Sequence, residues 1–255
     1  MRILCFLMIM LACLPLRAET ITLVADEWCP FTCDPASDPH KPGFLIDIVK
    51  AVFEKKGHVV TYRLLPWTRA INDTREGKYA ALVGASQADG PDFIFHRTPL
   101  STMQNAFFVK KDNPWRYTGL ESLGAVALGA TAEYTYGTSI DHYIAQHRQN
   151  ATRVQLMTGE NPLDINIKKL MAGRVGALIE EKKVMAHMLN DLGLANDIIM
   201  AGDYADDSQS NLFVAFSPKG AASRAWAEML DEGIAALKAS GELQAILQKY
   251  NLPPS

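Results

Sequence analysis

From Ile21 onward, strand-like and helix-like segments alternate without a long gap, and two apolar runs of the same character interrupt the series: Asn105-Ala-Phe-Phe-Val109 and Asn211-Leu-Phe-Val-Ala-Phe216. Such alternation restricts a chain to α/β architecture, with mainly parallel sheets flanked by helices. Thr20–Ala25 reads as a strand. Leu45–Lys56 reads as a helix, with Leu45, Ile48, Val49, Val52 and Phe53 on one face and Gly57 as its stop. A strand over His58–Leu65, a helix over Trp67–Glu76 ended by Gly77, and a strand over Tyr79–Gly84 follow. After the first apolar run, Thr118-Gly-Leu-Glu121 has capping-box spacing. A strand then covers Ala125–Gly129, and Thr131 opens a helix. Next come a strand at Val154–Met157, a helix at Leu163–Ala172 led by Asn161-Pro162, and strands at Val175–Ile179 and Asp197–Met200. Beyond the second run, Ser217-Pro218 caps a helix to Ser240, and Glu242–Tyr250 forms the last one. The pattern implies two lobes joined by two crossing strands: residues 19–107 plus 216–255 form the first, and 108–215 the second.

The first residues have another purpose. Met1–Ala18 reads as an export signal, with Arg2 before the apolar run Ile3–Leu14, a break at Pro15, and a cleavage site at Leu16-Arg17-Ala18. The run is short for a bilayer span. Lipid attachment at Cys13 is an alternative that Met10-Leu11-Ala12 supports poorly. Cleavage sends the chain to the periplasm and moves the formal net charge from −3 to −5, because Arg2 and Arg17 leave. A mildly acidic balance without basic blocks lends no support to nucleic-acid or membrane-surface binding. Of four cysteines only Cys29 and Cys33 remain. In an oxidising compartment a disulfide across this turn is the expected state. So small a ring is worth about 2 kcal/mol and stiffens the loop carrying Trp28 and Phe31.

Catalytic signatures are missing from the sequence. There is no Gly-x-Ser-x-Gly elbow, no Walker-type phosphate loop and no His-Glu-x-x-His. His142 and His147 share no helical face, and His40 alone does not complete a zinc site with the two cysteines. No metal or cofactor is expected. Chemistry concentrates instead after the first strand, where Asp26, Trp28 and Phe31 face the helix opened by Gly43-Phe44. Strand ends facing helix starts are where open α/β sheets bind small molecules.

Several short motifs keep a telling order: Pro30-Phe31, Gly43-Phe-x-x-Asp47, Gly77-Lys-Tyr-Ala-Ala-Leu-Val-Gly84, Leu123-Gly-Ala-Val-Ala-Leu-Gly129-Ala-Thr131, Gly173-Arg-Val-Gly-Ala-Leu-Ile179, and Leu237-Lys-Ala-Ser-Gly241 through Gln248-Lys-Tyr250. Together they resemble the bacterial periplasmic solute-binding proteins of family 3, which include polar amino-acid receptors of ABC transporters. The resemblance covers essentially the whole mature chain. It implies a monomer with the two-lobed type II periplasmic binding fold, which captures a polar amino acid or related zwitterion by hinge closure and delivers it to an ABC permease without catalysis.

On that resemblance the ligand-binding residues are Asp26, Trp28, Phe31, Trp67, Arg69, Gly84 and Ser86 from the first lobe, and Thr131, Tyr134, Glu180 and Glu181 from the second. Aromatic faces suit an apolar body or an ammonium group, and Asp26 a cationic end. Amides behind Thr131, at a helix N-terminus, suit a carboxylate. Glu180 and Glu181 fall where family receptors place an acid for the α-amino group. Each has a plainer alternative: packing for the tryptophans, a turn cap for Asp26, a surface ion pair for Arg69, a charged helix start for the two glutamates. The sequence departs from the family at Ser86-Gln-Ala-Asp-Gly-Pro-Asp92, which lacks the arginine that clamps an α-carboxylate. Either Arg69 or Arg97 substitutes, or the ligand presents no α-carboxylate. Leu65-Pro66-Trp67-x-Arg69-Ala70 resembles one branch of the family. Two other functions stay open: a sensory receptor for a membrane signalling protein, and a dehydratase using Glu180 or Glu181 as acid–base.

Overall fold

The computed structural model describes residues 18–204 and 211–252, so the export signal read from the first residues lies outside its description. Strand β1 (Thr20–Ala25) leads through helix α1 (Phe44–Lys55) to β2 (Val59–Leu64), then through α2 (Trp67–Arg75) to β3 (Ala81–Ala85). Both neighbours run parallel to β1. Leu23 and Ala25 pack with α1, whereas Val24 packs with Trp67, Ala70 and Ile71 of α2. Successive strand residues point to opposite faces, so the two helices cover opposite sides of the sheet. Short strands β4 (Ile94–Phe95) and β5 (Ser101–Thr102) follow.

The chain then builds a second sheet. Its elements are β6 (Asn105–Lys110), β7 (Leu128–Thr131), α3 (Thr138–His147), β8 (Val154–Met157), α4 (Pro162–Met171), β9 (Ala177–Glu181), α5 (Lys182–Asp191) and β10 (Ile198–Asp203). The order is β10-β6-β9-β7-β8, with β8, β7 and β9 parallel and β6 antiparallel to both of its neighbours. Strand β11 (Asn211–Phe216) returns to the first sheet, followed by α6 (Ser223–Ser240) and α7 (Glu242–Lys249). That sheet reads β2-β1-β3-β11-β4 with β5 also on β11, and every pair made by β11 is antiparallel. Gly233 lets α6 lie against α1: a Cβ there would stand 2.2 Å from Val52. Among the described residues no helix is long and apolar enough to cross a membrane.

The two α/β units appear as read, yet both sheets are mixed, each with three parallel strands at its heart. Strands β6 and β11 carry the chain across and back, so they run against their neighbours. Each belongs wholly to one sheet, β6 to the second and β11 to the first. The outward crossing therefore lies at Met103-Gln104, ahead of the residue-107 boundary. Helix α6 begins at Ser223 and not at Ser217-Pro218, because Ser217 closes a turn there: its carbonyl accepts from Ser223 Oγ at 2.7 Å and its hydroxyl from the Lys219 amide at 3.2 Å.

Candidate functional site

The loop after β1 is welded to α1. Trp28 and Thr32 exchange backbone hydrogen bonds of 2.7 and 3.2 Å, the Phe44 amide donates to the Pro30 carbonyl at 3.0 Å, and the Leu45 amide to the Phe31 carbonyl at 3.2 Å. Cys29 and Cys33 form the expected disulfide. Gly43, at φ 108°, makes the approach feasible, since a Cβ on it would lie 2.3 Å from the Phe31 carbonyl oxygen. Phe31 is wholly buried beneath Trp28, with ring centroids 4.5 Å apart. It supports the tryptophan and does not line the cavity above it.

That cavity lies between the lobes. Asp26, Trp28 and Thr32 form one wall, Trp67 another, and Val83, Gly84, Ser86 and Asp89 a third. Met103 and Leu212, beside the crossing segments, make the floor, while Tyr134 and Thr135 enter from the second lobe. About 30 Å³ of free space remains, room for a water or two. Tyr134 fills the middle. Its ring stands edge-on to Trp28 at 6.2 Å and to Trp67 at 6.0 Å, and its hydroxyl donates a short hydrogen bond to Asp26 Oδ2.

Three more hydrogen bonds cross the cleft: Trp28 Nε1 to Glu180 Oε1 at 2.9 Å, Trp67 Nε1 to the Glu133 carbonyl at 3.1 Å, and Thr135 Oγ1 to Asp89 Oδ1 at 2.7 Å. Asp89 also receives the Ser86 amide at 2.7 Å and hydroxyl at 2.9 Å. Beside this box, a polar cleft of about 680 Å³ runs between Thr68, Asn72 and Arg75 of α2 and Thr131, Glu133, Asp141 and Arg148 of the second lobe. Asp89, Tyr134 and Thr135 line both spaces.

The electrostatics follow burial. Loss of water pushes the Asp26 carboxyl up to about 6, although the Tyr134 hydrogen bond opposes the rise. Burial likewise lifts Glu180 to about 7, against donation from Trp28 and the Glu181 amide. Asp89 is raised for the same reason. Among the described residues, no Lys or Arg side chain lines the aromatic box.

Three expected positions read differently. Arg69 faces solvent with its guanidinium on Asp73 at 3.3 Å, and Arg97 is likewise exposed and paired with Asp231, so neither supplies a carboxylate clamp. Thr131 ends β7 and opens no helix, for α3 starts only at Thr138. The intervening loop, with Glu133 at φ 60°, carries Tyr134 across to the first lobe. The Thr131 amide donates to Tyr136 Oη at 2.7 Å, and Asp141 takes the Tyr136 and Gly137 amides ahead of α3. The Thr131, Tyr136 and Gly137 amides are thus already paired within the second lobe. Glu180 and Glu181 belong to β9, and neither lines the cavity. Glu181 caps α5 through the Lys183 and Val184 amides and pairs with Lys183 Nζ, whereas Glu180 points toward Trp28.

Sequence reading missed Thr32, Val83, Asp89, Met103, Thr135 and Leu212. Asp89 had a signal, the Ser-x-x-Asp spacing after a strand, whose capping box the structure contains.

The model of bacterial extracellular solute-binding proteins, family 3, matches residues 21–253. No curated protein matches the chain. Among solved structures, one on glutathione import via GshT and the cystine ABC importer TcyBC of Streptococcus mutans aligns with TM-score 0.76 at 16% identity, covering 93% of this chain and 98% of that one. An amino acid ABC transporter substrate-binding protein from Streptococcus pneumoniae, bound to L-arginine, gives 0.69 at 20% identity, over 91% and 93%. A histidine kinase sensor domain with similarity to periplasmic binding proteins gives 0.72 at 22% identity, over 93% and 99%. These likenesses carry the fold, and the family match carries membership: the chain belongs to family 3 of the bacterial extracellular solute-binding proteins.

Proposed function

We propose that this protein is a periplasmic receptor, exported by its N-terminal signal, that captures a small polar nitrogenous solute between its lobes and delivers it to an ABC transporter. The ligand class is the amino acids with their related zwitterions and amines. One observation carries the reading: strand-end side chains of the first sheet, Asp26, Trp28, Trp67 and Asp89, meet Tyr134 and Thr135 of the second lobe around one cavity. Hinge motion at the Met103-Gln104 crossing opens and closes that cavity, as two-lobed receptors do.

A thermal-shift panel of amino acids, amines, organic acids and sugars tests it. A ligand at one hundred times its Kd adds about 2.7 kcal/mol, which raises the Tm of a chain this size by roughly 5–11 °C. A panel with no stabilising member refutes capture. Recovery of the ligand unchanged separates a receptor from a dehydratase, for which Glu180 would have to be the acid–base. The likeness to a histidine kinase sensor domain favours a second output, with closure read by a membrane signalling protein. Loss of uptake of the identified ligand on gene deletion supports transport. Intact uptake with a lost transcriptional response supports sensing.

A further inference from the structure

The aromatic box is selective for the charge next to the nitrogen it binds. Its walls are the indoles of Trp28 and Trp67 and its floor is Met103 and Leu212, so it takes a flat or compact apolar body. Its acidic side chains are Asp26 and Asp89, with Glu180 just behind Trp28, and among the described residues no Lys or Arg side chain joins the lining. Tyr134 shows the shape that fits: a ring edge-on to both indoles, tipped with a donor aimed at Asp26 Oδ2. An ammonium group on a similar body makes the same hydrogen bond with a full positive charge, and the indole faces favour it further.

An α-amino acid fits this box badly. Its carboxylate carbon lies about 2.5 Å from its nitrogen, so seating the ammonium on Asp26 brings the carboxylate among Asp26, Asp89 and Glu180. Arg69 and Arg97 are held elsewhere by Asp73 and Asp231, while Arg75, paired with Asp92, and Arg148 line the larger cleft next door and not the box.

We propose that the box binds an amine cation whose nitrogen is not flanked by a carboxylate, and that the ligand takes the place of Tyr134 on Asp26. The assignment rests on the receptor reading above and narrows its ligand class. Tyr134 sits on the loop between β7 and α3, so it can withdraw toward the larger cleft that it also lines.

The test uses matched pairs that differ in the carboxylate: 2-phenylethylamine against L-phenylalanine, and choline against glycine betaine, each titrated calorimetrically at pH 8. The carboxylate-free member binds at least tenfold more tightly in one pair or both. Equal affinities, preference for the carboxylate member, or no binding by any of the four overturns the assignment. For the amine that binds, Asp26→Asn weakens affinity at least a hundredfold, while Tyr134→Phe, which removes the hydroxyl that competes for Asp26, tightens it severalfold. Affinity kept in Asp26→Asn, or not tightened in Tyr134→Phe, also overturns it. Should a carboxylate-bearing solute of the wider panel stabilise the protein while the amines do not, the receptor reading stands and the amine assignment falls. Should no solute of any class do so, both fall.

Discussion

Asp26→Asn stabilises the protein at pH 8 and leaves it unchanged at pH 4. The carboxyl is 7% exposed, and burial raises it from 3.8 to about 6. Between those values the folded chain holds a proton that the unfolded chain has released. Stability contributed by this group is therefore present below pH 4 and is lost as pH rises through 6. The interval is worth roughly 3 kcal/mol as a ceiling, or a Tm difference of at most about 6–12 °C for a chain of this size. Asparagine keeps an acceptor for the Tyr134 hydroxyl and carries no charge, so it recovers the loss. Wild-type melting curves alone do not isolate the effect. His96 is wholly buried, accepts from the Val214 amide at 2.9 Å and is held down to about 4 by burial, so its contribution grows with pH over an overlapping range. Glu180, raised to about 7, works in the same direction as Asp26. The difference between variant and wild type, measured by scanning fluorimetry from pH 4 to 8 without ligand, cancels His96 and leaves only the smaller change in Glu180, whose carboxyl the Asp26 charge helps to raise. A variant less stable than wild type at pH 8, or equally shifted at both ends, would refute the claim that a desolvated charge sits at Asp26.

Three further outcomes follow from the same geometry. Binding of a permanent cation such as choline tightens about tenfold between pH 5 and pH 7, because the cation requires Asp26 ionised and its carboxyl titrates near 6; a flat calorimetric profile would remove Asp26 from the contact. Gly43→Ala costs about 2–4 kcal/mol in urea unfolding, since its Cβ meets backbone atoms of Phe31 and Thr32 at 2.3 and 2.6 Å at a φ that side chains rarely adopt; a loss under about 1 kcal/mol would mean that the loop is not pinned as described. Replacing Cys29 and Cys33 together by serine costs about 2 kcal/mol under oxidising conditions and nothing against reduced wild type, and equal losses in both states would assign the effect to packing.

The legible part of the fold was its periodic part. The apolar stripe of α1 and the glycine stops at Gly57 and Gly241 appear where the residues put them, because each rests on local spacing. The misread positions share a different cause. Thr131 resembles a helix cap, but the loop it opens answers to Asp26, 105 residues earlier in the chain, and that demand keeps the backbone out of a helix until Thr138. Arg69 resembles a cleft residue because it follows Trp67 by two, yet on a helix that spacing turns the side chain away, and Asp73 at i+4 captures it. Thr135, Met103 and Leu212 carry no motif at all. They line the cavity only because two sheets made from interleaved segments meet there. The aromatic and acidic character of the box could be read from one loop, and Tyr134 was expected in the cleft, but its hydrogen bond to Asp26 could be seen only in three dimensions.

Tyr134 also determines what a ligand has to accomplish. Among the described residues, four hydrogen bonds join the lobes through side chains of the protein itself. Closure therefore draws on internal contacts as well as on the ligand, and a ligand shifts the lobe equilibrium only by what it adds beyond them. A guest that displaces the Tyr134 hydroxyl from Asp26 forfeits one of the four. It leaves Trp28–Glu180, Trp67–Glu133 and Thr135–Asp89 free to persist. What it offers in exchange must exceed a hydroxyl–carboxylate bond in the same place, and a neutral donor on a similar body offers nothing more. A positive charge does, since it turns a desolvated, proton-holding carboxyl into half of an ion pair. The box thus discriminates by competition with a tethered phenol, and solutes that only match the phenol are excluded even where they fit.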